Sequence, residues 1–277
     1  MKSNAIMRKS FLLFNYLLIA VAVNFSWANE PLIVRFLDVG YADAVLLQLP
    51  GGKNAMIDAG GPETATKVVE VLKRLGISRL DFVVVTHSDE NHLGGFKEIL
   101  KHFEIHQVYV NDENKEGREG YFTFLSEMQK RVIPVTVLRR GQEIDLESED
   151  ARILVLHPGI LSGSANEDSL SLLLDYGKTR FWFTADIQPE GQDDIIREFP
   201  EVLSADCVQV PHHGGKLSES FISMAREKIF VMSTGKNEYE KPFTEYLNLL
   251  SGRLLRTDRN GDIIIISDGF SIRVLNE

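Results

Sequence analysis

Within six residues, His87, Asp89, Asn91 and His92 offer four side chains of the kinds that hold metal ions. Imidazole nitrogen and carboxylate oxygen suit zinc, manganese or iron. Such ions polarise phosphoryl or carbonyl oxygens and activate water, so hydrolysis is the chemistry to expect. The run follows Phe82-Val83-Val84-Val85, whose β-branched residues read as a short buried strand. Gly94-Gly95 closes it, and Phe96 to Lys101 reads as helix. Strand ends are where α/β folds place their sites.

Three further segments repeat the arrangement. Asp58 follows Ala55 to Ile57, Asp186 follows Phe181 to Thr184, and His212-His213 follow Val208 to Val210. A lone Asp or His after a strand is ordinarily a turn residue or helix cap. Four such segments together fit a site assembled from several strand ends.

The elements that must position these residues can be read from the apolar pattern. Strands are expected at Leu32 to Leu37, Ala44 to Leu49 and Ala55 to Ile57, with a turn at Asp38 to Asp43. A hairpin turn is expected at Pro50 to Asn54. Ala65 to Leu75 has helical spacing, Leu80 to Val85 is a strand, and Gly94 to His102 is a helix. Gln107 to Val110 is a strand, Asp112 to Gly120 a polar loop and Phe122 to Arg131 a helix. Short strands follow at Pro134 to Leu138, Glu143 to Leu146 and Ala151 to Leu156, then a polar loop from Ser162 to Asp168. Ser169 to Tyr176 and Thr179 to Thr184 form a hairpin. The remainder alternates helix (Gln188 to Phe199), strand (Asp206 to Val210), helix (Phe221 to Arg226), strand (Lys228 to Met232) and helix (Pro242 to Ser251). Arg253 to Arg256, Asp262 to Ser267 and Phe270 to Val274 close the chain. Strand-rich halves with helices between them imply an α+β, four-layer αββα sandwich, sheets inside and helices outside.

Residues 1–28 read as a secretory signal peptide: Lys2, Arg8 and Lys9, an apolar stretch from Phe11 to Val23, and Ser26-Trp27-Ala28 before the cut. Residues 29–277 are then one exported hydrolase-like domain, periplasmic or extracellular, with no later stretch able to span a bilayer. Losing three positive charges takes the formal charge from −10 to −13. That argues against a generic polyanion binder; any nucleic-acid contact would need a local basic patch, and the overall charge shows no basic nucleic-acid-binding surface. Cys207 is the only cysteine, so no internal disulfide can form, and a buried apolar role is expected for it.

Phe36-Leu37-Asp38-Val39-Gly40, Ile57-Asp58-Ala59-Gly60, the His-x-Asp-x-Asn-His run, Thr184-Ala185-Asp186, Val210-Pro211-His212-His213-Gly214 and Arg256 to Gly261 occur in one order. In that order the chain resembles the metallo-β-lactamase superfamily, and within it the soluble hydrolase domain of the ComEC family of competence proteins. The likeness runs from about residue 33 to 275, without the membrane-embedded portion of that family. It implies one or two divalent ions, zinc or manganese. His87 and Asp89 would hold the first, Asn91 and His92 lie towards the second, and Asp186 bridges both. His212 and His213 match a pair close to the metals. Asp58 orients the first cluster without binding, so Asp58, Asp89 and Asp186 are the expected catalytic carboxylates. Asn166, Asp168 and Ser169 match a loop beside the family's site, and Lys216 could meet a phosphate.

Several residues depart from the family pattern. Asn91 stands where the superfamily has Asp, Gly40-Tyr41-Ala42-Asp43 where ComEC proteins have Gly-Gln-Gly-Asp, and Gly215 where Ser is usual. Lys241 and Phe243 replace two histidines of a Tyr-Gly-His-Pro-His-like segment. A neutral amide is a weaker ligand than a carboxylate and cannot serve as a base. Three readings therefore stand: a metal-dependent hydrolase of a small phosphodiester or nucleic acid, a hydrolase of a lactone, thioester or β-lactam, and a non-catalytic binding protein with a degenerate site.

Overall fold

Alternating side chains divide the apolar residues between three layers of core. In the computed structural model, which describes residues 30–111, 118–224, 228–236, 244–250 and 253–275, Leu32, Val34 and Phe36 of β1 (Leu32–Phe36) point to a central layer. Along β5 (Phe82–Val85), Phe82 and Val84 enter that layer while Val83 and Val85 enter the next one out. This period of two, with both faces buried, is what a strand covered on both sides requires.

One sheet contains β1, β2 (Val45–Gln48), β3 (Asn54–Ile57), β5, β7 (Val108–Val110), β8 (Val135–Val137), β16 (Ile263–Ser267) and β17 (Ile272–Leu275), in the order β17-β16-β1-β2-β3-β5-β7-β8. A second runs β15-β14-β13-β12-β11-β10-β9, from β9 (Glu143–Ile144), β10 (Ala151–His157), β11 (Ser171–Tyr176), β12 (Thr179–Phe183), β13 (Cys207–Gln209), β14 (Ile229–Met232) and β15 (Arg253–Arg256). The central layer lies between them. The outer face of the first sheet packs against α1 (Ala65–Arg74), α2 (Glu90–Leu93), α3 (Phe96–Ile99) and α4 (Glu119–Arg131). That of the second packs against α5 (Pro189–Glu198), α6 (Glu219–Ser223) and α7 (Thr244–Leu247). The result is the expected αββα sandwich.

Pairing direction sets where the loops meet. β1–β2 and β2–β3 are antiparallel, whereas β3–β5 is parallel. The carboxyl ends of β1, β3 and β5 therefore share one edge with the start of β2. In the second sheet β12, β13, β14 and β15 are parallel neighbours, and β11 runs against β12. The ends of β12 and β13 and the start of β11 consequently share one edge as well.

Some local expectations are corrected. Of the helix expected from Gly94 to His102 only Phe96–Ile99 is helical, as α3, and a separate turn, α2, begins before it at Glu90. The break lies at Gly94-Gly95, where the chain presses on its neighbour: a Cβ on Gly95 would fall 2.0 Å from the Ala59 carbonyl oxygen. Gly95→Ala should therefore force backbone apart and cost about 3 kcal/mol of unfolding free energy, readable in a urea titration. The strand expected from Leu80 splits at Asp81, and β4 (Arg79–Leu80) pairs with β6 (Glu104–Ile105) in a small separate sheet. Glu119 and Gly120, expected in a loop, open α4, while most of that loop lies outside the described residues. Outside them too lie the expected signal peptide, Lys241 and Phe243. The last turn, α8 (Thr257–Asn260), carries the Asp258 to Gly261 segment. No helix among the described residues is long and apolar enough to cross a membrane. Cys207 is buried, which pushes its thiol up.

Candidate metal centre

The two loop-bearing edges meet where Asp58 sits. Its carboxylate is 1% exposed and accepts three hydrogen bonds: from the Thr86 backbone N–H at 2.8 Å, the Thr86 hydroxyl at 2.7 Å and His92 Nδ1 at 2.8 Å. Because the Thr86 hydroxyl donates to Asp58, it can only accept from His87 Nδ1, 3.0 Å away. One carboxylate thus fixes the tautomer of two imidazoles, leaving Nε2 of each as the free nitrogen. His213 reaches the same state by another route, donating from Nδ1 to the Ser233 carbonyl at 3.0 Å.

These Nε2 atoms, with that of His212, converge on Asp186, which is 2% exposed. Its Oδ2 lies 3.3 Å from His92 Nε2, 3.6 Å from His213 Nε2, 3.7 Å from His212 Nε2 and 3.9 Å from His87 Nε2. Asp58, Ala185, His212 and His213 all hold positive φ, between 50° and 57°. Non-glycine residues rarely adopt that conformation, and its clustering here points to function.

The residues present fit a metal ion. Asp43, His92, Asp186 and His213 are buried and can each offer one ligand atom within 4.8 Å of the others. Asp43 Oδ1, His87 Nε2, His92 Nε2 and Asp186 Oδ1 have no hydrogen-bond partner among the described residues. A buried polar atom left unpaired is costly, and two carboxylates with two imidazoles are a zinc or manganese donor set.

Electrostatics without metal follow from the same crowding. Burial alone would depress the His92 imidazole, but Asp186 and Asp58 overcome it and hold its pKa well above the usual value. Burial would raise Asp186, but His92 and His213 hold it well below the usual carboxylate range. Burial wins at Asp43, whose carboxyl is raised, and at His213, whose imidazole is lowered. A cation must displace the proton favoured on His92. Apparent zinc affinity should therefore climb as pH rises, on the order of tenfold per unit while His92 holds its proton. Calorimetry in buffers of different ionisation enthalpy would count the released proton, and a flat profile would contradict this proton inventory.

Of the other sequence candidates, Asp89 lies at the rim with a 36% exposed side chain. Its Oδ2 is 3.7 Å from His87 Nε2, and its Oδ1 accepts from Arg118 at 2.9 Å. His87, followed by burial's opposing effect and Arg118, lowers its pKa. Asn91 donates from Nδ2 to His213 Nε2 at 3.0 Å. Asn166 and Gln188 place amide nitrogens 3.3 and 3.1 Å from the two ring nitrogens of His212. Ser169 Oγ stands 3.3 Å from His87 Nδ1. The Asp168 carboxylate instead accepts the Ser162 and Gly163 amides, so it shapes the loop that carries Asn166. Lys216 is exposed, and its carbonyl accepts from Gln192. A cleft of about 710 Å³, lined by Gly61, Pro62, Glu63, Asp89, Asn91 and Arg118 among others, opens on the Asp89 side.

Glu167 holds the same loop to α5 by accepting the Gln188 amide at 3.0 Å. Burial pushes its carboxyl up from 4.5 to about 7. A carboxyl raised on folding weakens the fold as it ionises, so stability is lost as pH rises from 4.5 through about 7. Glu167→Gln keeps an acceptor and removes the charge. Discounted for solvent screening to about 1 kcal/mol, its Tm should exceed the parent's by about 2–4 °C above pH 7 and match it near pH 5.

Asp43 is the residue that sequence reading missed. It lies at the start of β2 rather than after a strand, yet antiparallel pairing brings it to the site edge. The readable signal was its place in Gly40-Tyr41-Ala42-Asp43, directly before an apolar run.

Comparison with known proteins agrees with this architecture. ComE operon protein 3 of Bacillus subtilis (strain 168) is 28% identical over 83% of this chain and 32% of its own length. Recombination protein 2 of Haemophilus influenzae (strain ATCC 51907 / DSM 11121 / KW20 / Rd) is 27% identical over 73% of this chain and 24% of its own. The probable metallo-hydrolase YflN of Bacillus subtilis (strain 168) is 33% identical over 32% of this chain and 36% of its own. The chain thus spans about a third or less of the length of the first two relatives. The family model described as the metallo-beta-lactamase superfamily matches residues 37–235, from the end of β1 past His213. With the sandwich and the buried histidine–carboxylate cluster at its loop edge, the chain belongs to the metallo-β-lactamase superfamily.

Proposed function

We propose that residues 29–277 act as an exported, metal-dependent phosphodiesterase on a small phosphodiester or a nucleic-acid strand. The observation that carries the hydrolase reading is Asp186, whose one oxygen faces four imidazole nitrogens within 3.9 Å. His87, Asp89, His92, Asp186, His212 and His213, together with Asp43, would hold one or two divalent ions, zinc or manganese. Bound there, such ions supply Lewis acidity and a water nucleophile near neutral pH.

This chain's own residues do the rest. Asp58 sets His87 and His92 with their free nitrogens inward. Asp89 is ionised and faces the cleft, so its Oδ2 can accept a proton from water there. Asn91 cannot take that proton, because its amide is neutral and its nitrogen donates to His213. Asn166 and the fully buried Ser169 bear on His212 and His87 from the loop beside the site. Lys216 is exposed and remains a candidate phosphate contact.

The phosphodiester class is supported by the relative named a recombination protein. The cleft admits a small substrate, and its lining carries Glu63, Asp89, Glu90 and Glu119 beside Arg118. That balance disfavours a long duplex, as does the chain's charge. Purified protein loaded with zinc or manganese should hydrolyse bis-p-nitrophenyl phosphate, and chelation should abolish the activity. Turnover of lactone or thioester substrates with none of the diester would overturn the substrate class. Failure to bind any divalent metal would overturn the hydrolase.

A further inference from the structure

The sequence pattern makes the position nearest Asn91 look like the defective one, with a neutral amide where a carboxylate is expected. The packing around it points the other way. Asp43 is 2% exposed, and its backbone is stapled on both sides. Its N–H donates to the Asn91 carbonyl at 3.2 Å, and its own carbonyl accepts from Gly60 at 2.7 Å. The same two segments carry His92 and Asp58, since the Ala59 amide donates to the His92 carbonyl at 2.7 Å. Tyr41, in the same turn, packs its ring 4.4 Å from the His213 ring. Asp43 is thus held beside His92 and His213 by the backbone that positions them, and its Oδ1 finds no hydrogen-bond partner among the described residues.

Asn91 faces the same pocket in a different capacity. His213 Nδ1 donates to the Ser233 carbonyl, so Nε2 is an acceptor and only the amide nitrogen of Asn91 can face it. Asn91 therefore occupies His213 Nε2 with one neutral hydrogen bond, which a cation bound there would replace, and presents no oxygen to the pocket. On the opposite side, Asp89 is partly exposed and its carboxylate is engaged by the Arg118 guanidinium. A cation at His87 and Asp89 must compete with that positive charge.

Building on the metal-dependent reading above, we infer that the tight metal position is formed by Asp43, His92, Asp186 and His213. Asp43 supplies across the fold the carboxylate that Asn91 lacks. The His87–Asp89 side is the weaker position because Arg118 holds Asp89. The order of filling is thus the reverse of what the His-x-Asp-x-Asn-His run suggests by itself.

Zinc titration against a competing chelator, with cobalt absorption as a second readout, tests this on the purified chain. Loss of an outer-sphere partner typically costs about 10–100-fold in metal affinity, so removing a direct ligand in Asp43→Asn should weaken the tight equivalent by at least about 100-fold. Asn91→Ala should change it by less than about threefold, whereas Asn91→Asp placed in the Asp43→Asn background should recover at least about tenfold. Arg118→Gln should strengthen the second equivalent and leave the first alone. Should Asp43→Asn fail to fold, Asp43→Glu keeps the charge but moves it, and must shift the cobalt spectrum of the first equivalent. An unchanged spectrum overturns the inference. So does a tight equivalent abolished by Asp89→Ala but untouched by Asp43→Asn, or Asn91→Ala losing as much as Asp43→Asn. Absence of any metal on the parent protein would instead overturn the metal-dependent reading itself.

Discussion

Asp186→Asn is expected to lower turnover of bis-p-nitrophenyl phosphate by at least about 10³-fold, since a bound cation contributes several kcal/mol to charge stabilisation and each 1.36 kcal/mol is tenfold. Zinc affinity should fall at least about 100-fold in the same variant. The reason is the placement of one oxygen. Asp186 Oδ2 is the point on which His87, His92, His212 and His213 converge. An asparagine of the same shape keeps the packing but offers half the acceptor capacity and no charge. The metal-free fold should survive, because His92 can shed its proton once its counter-charge is gone. Its pKa should accordingly drop from its raised position, which an NMR titration of the imidazole would follow. A variant that binds zinc like the parent, with His92 unmoved, would remove Asp186 from the centre of the site.

The legible part of this molecule was the part governed by period-two burial and by residues placed after strands. Val83 and Val85 facing one layer while Phe82 and Val84 face another is a pattern carried in four consecutive letters. Asp58, Asp186 and His213 were found because a strand delivers the residues that follow it to the sheet edge, and His92 because it stands in a dense run of ligand types. Asp43 was not found because it precedes its strand. Only the antiparallel register of β1 with β2 and of β2 with β3 turns that start into a site edge. The late start of the expected Gly94 to His102 helix was hidden for a related reason. Helix propensity is local, but the close approach of Gly95 to Ala59 is a contact across 36 positions of chain. Arg118 was likewise invisible as a partner of Asp89, since ion pairs between exposed elements leave no periodic trace. His157 is buried and lies with its Nδ1 3.3 Å from the Ser169 carbonyl.

Asp58 should give the largest loss of stability of any single site residue, and its two simplest variants should fail differently. In Asp58→Ala, the buried Thr86 amide, Thr86 hydroxyl and His92 Nδ1 lose their acceptor together. Each unsatisfied buried donor costs about 1–3 kcal/mol, so the metal-free protein should lose on the order of 3–6 kcal/mol in a urea titration. His87 is affected as well, because the Thr86 hydroxyl is no longer constrained to accept from its Nδ1. Asp58→Asn preserves the volume and keeps an oxygen for the Thr86 amide. Its NH2 group would then face Thr86 Oγ1 and His92 Nδ1, where two donors already point. His92 can relieve that conflict by moving its proton to Nε2, the nitrogen that faces Asp186 and the cation position. The alanine variant should therefore lose stability and zinc affinity together. The asparagine variant should keep most of its stability and still lose about 10–100-fold in zinc affinity, the usual cost of removing a group that orients a ligand. Equal zinc affinity in Asp58→Asn and the parent would show that Asp58 holds the fold without setting the histidines.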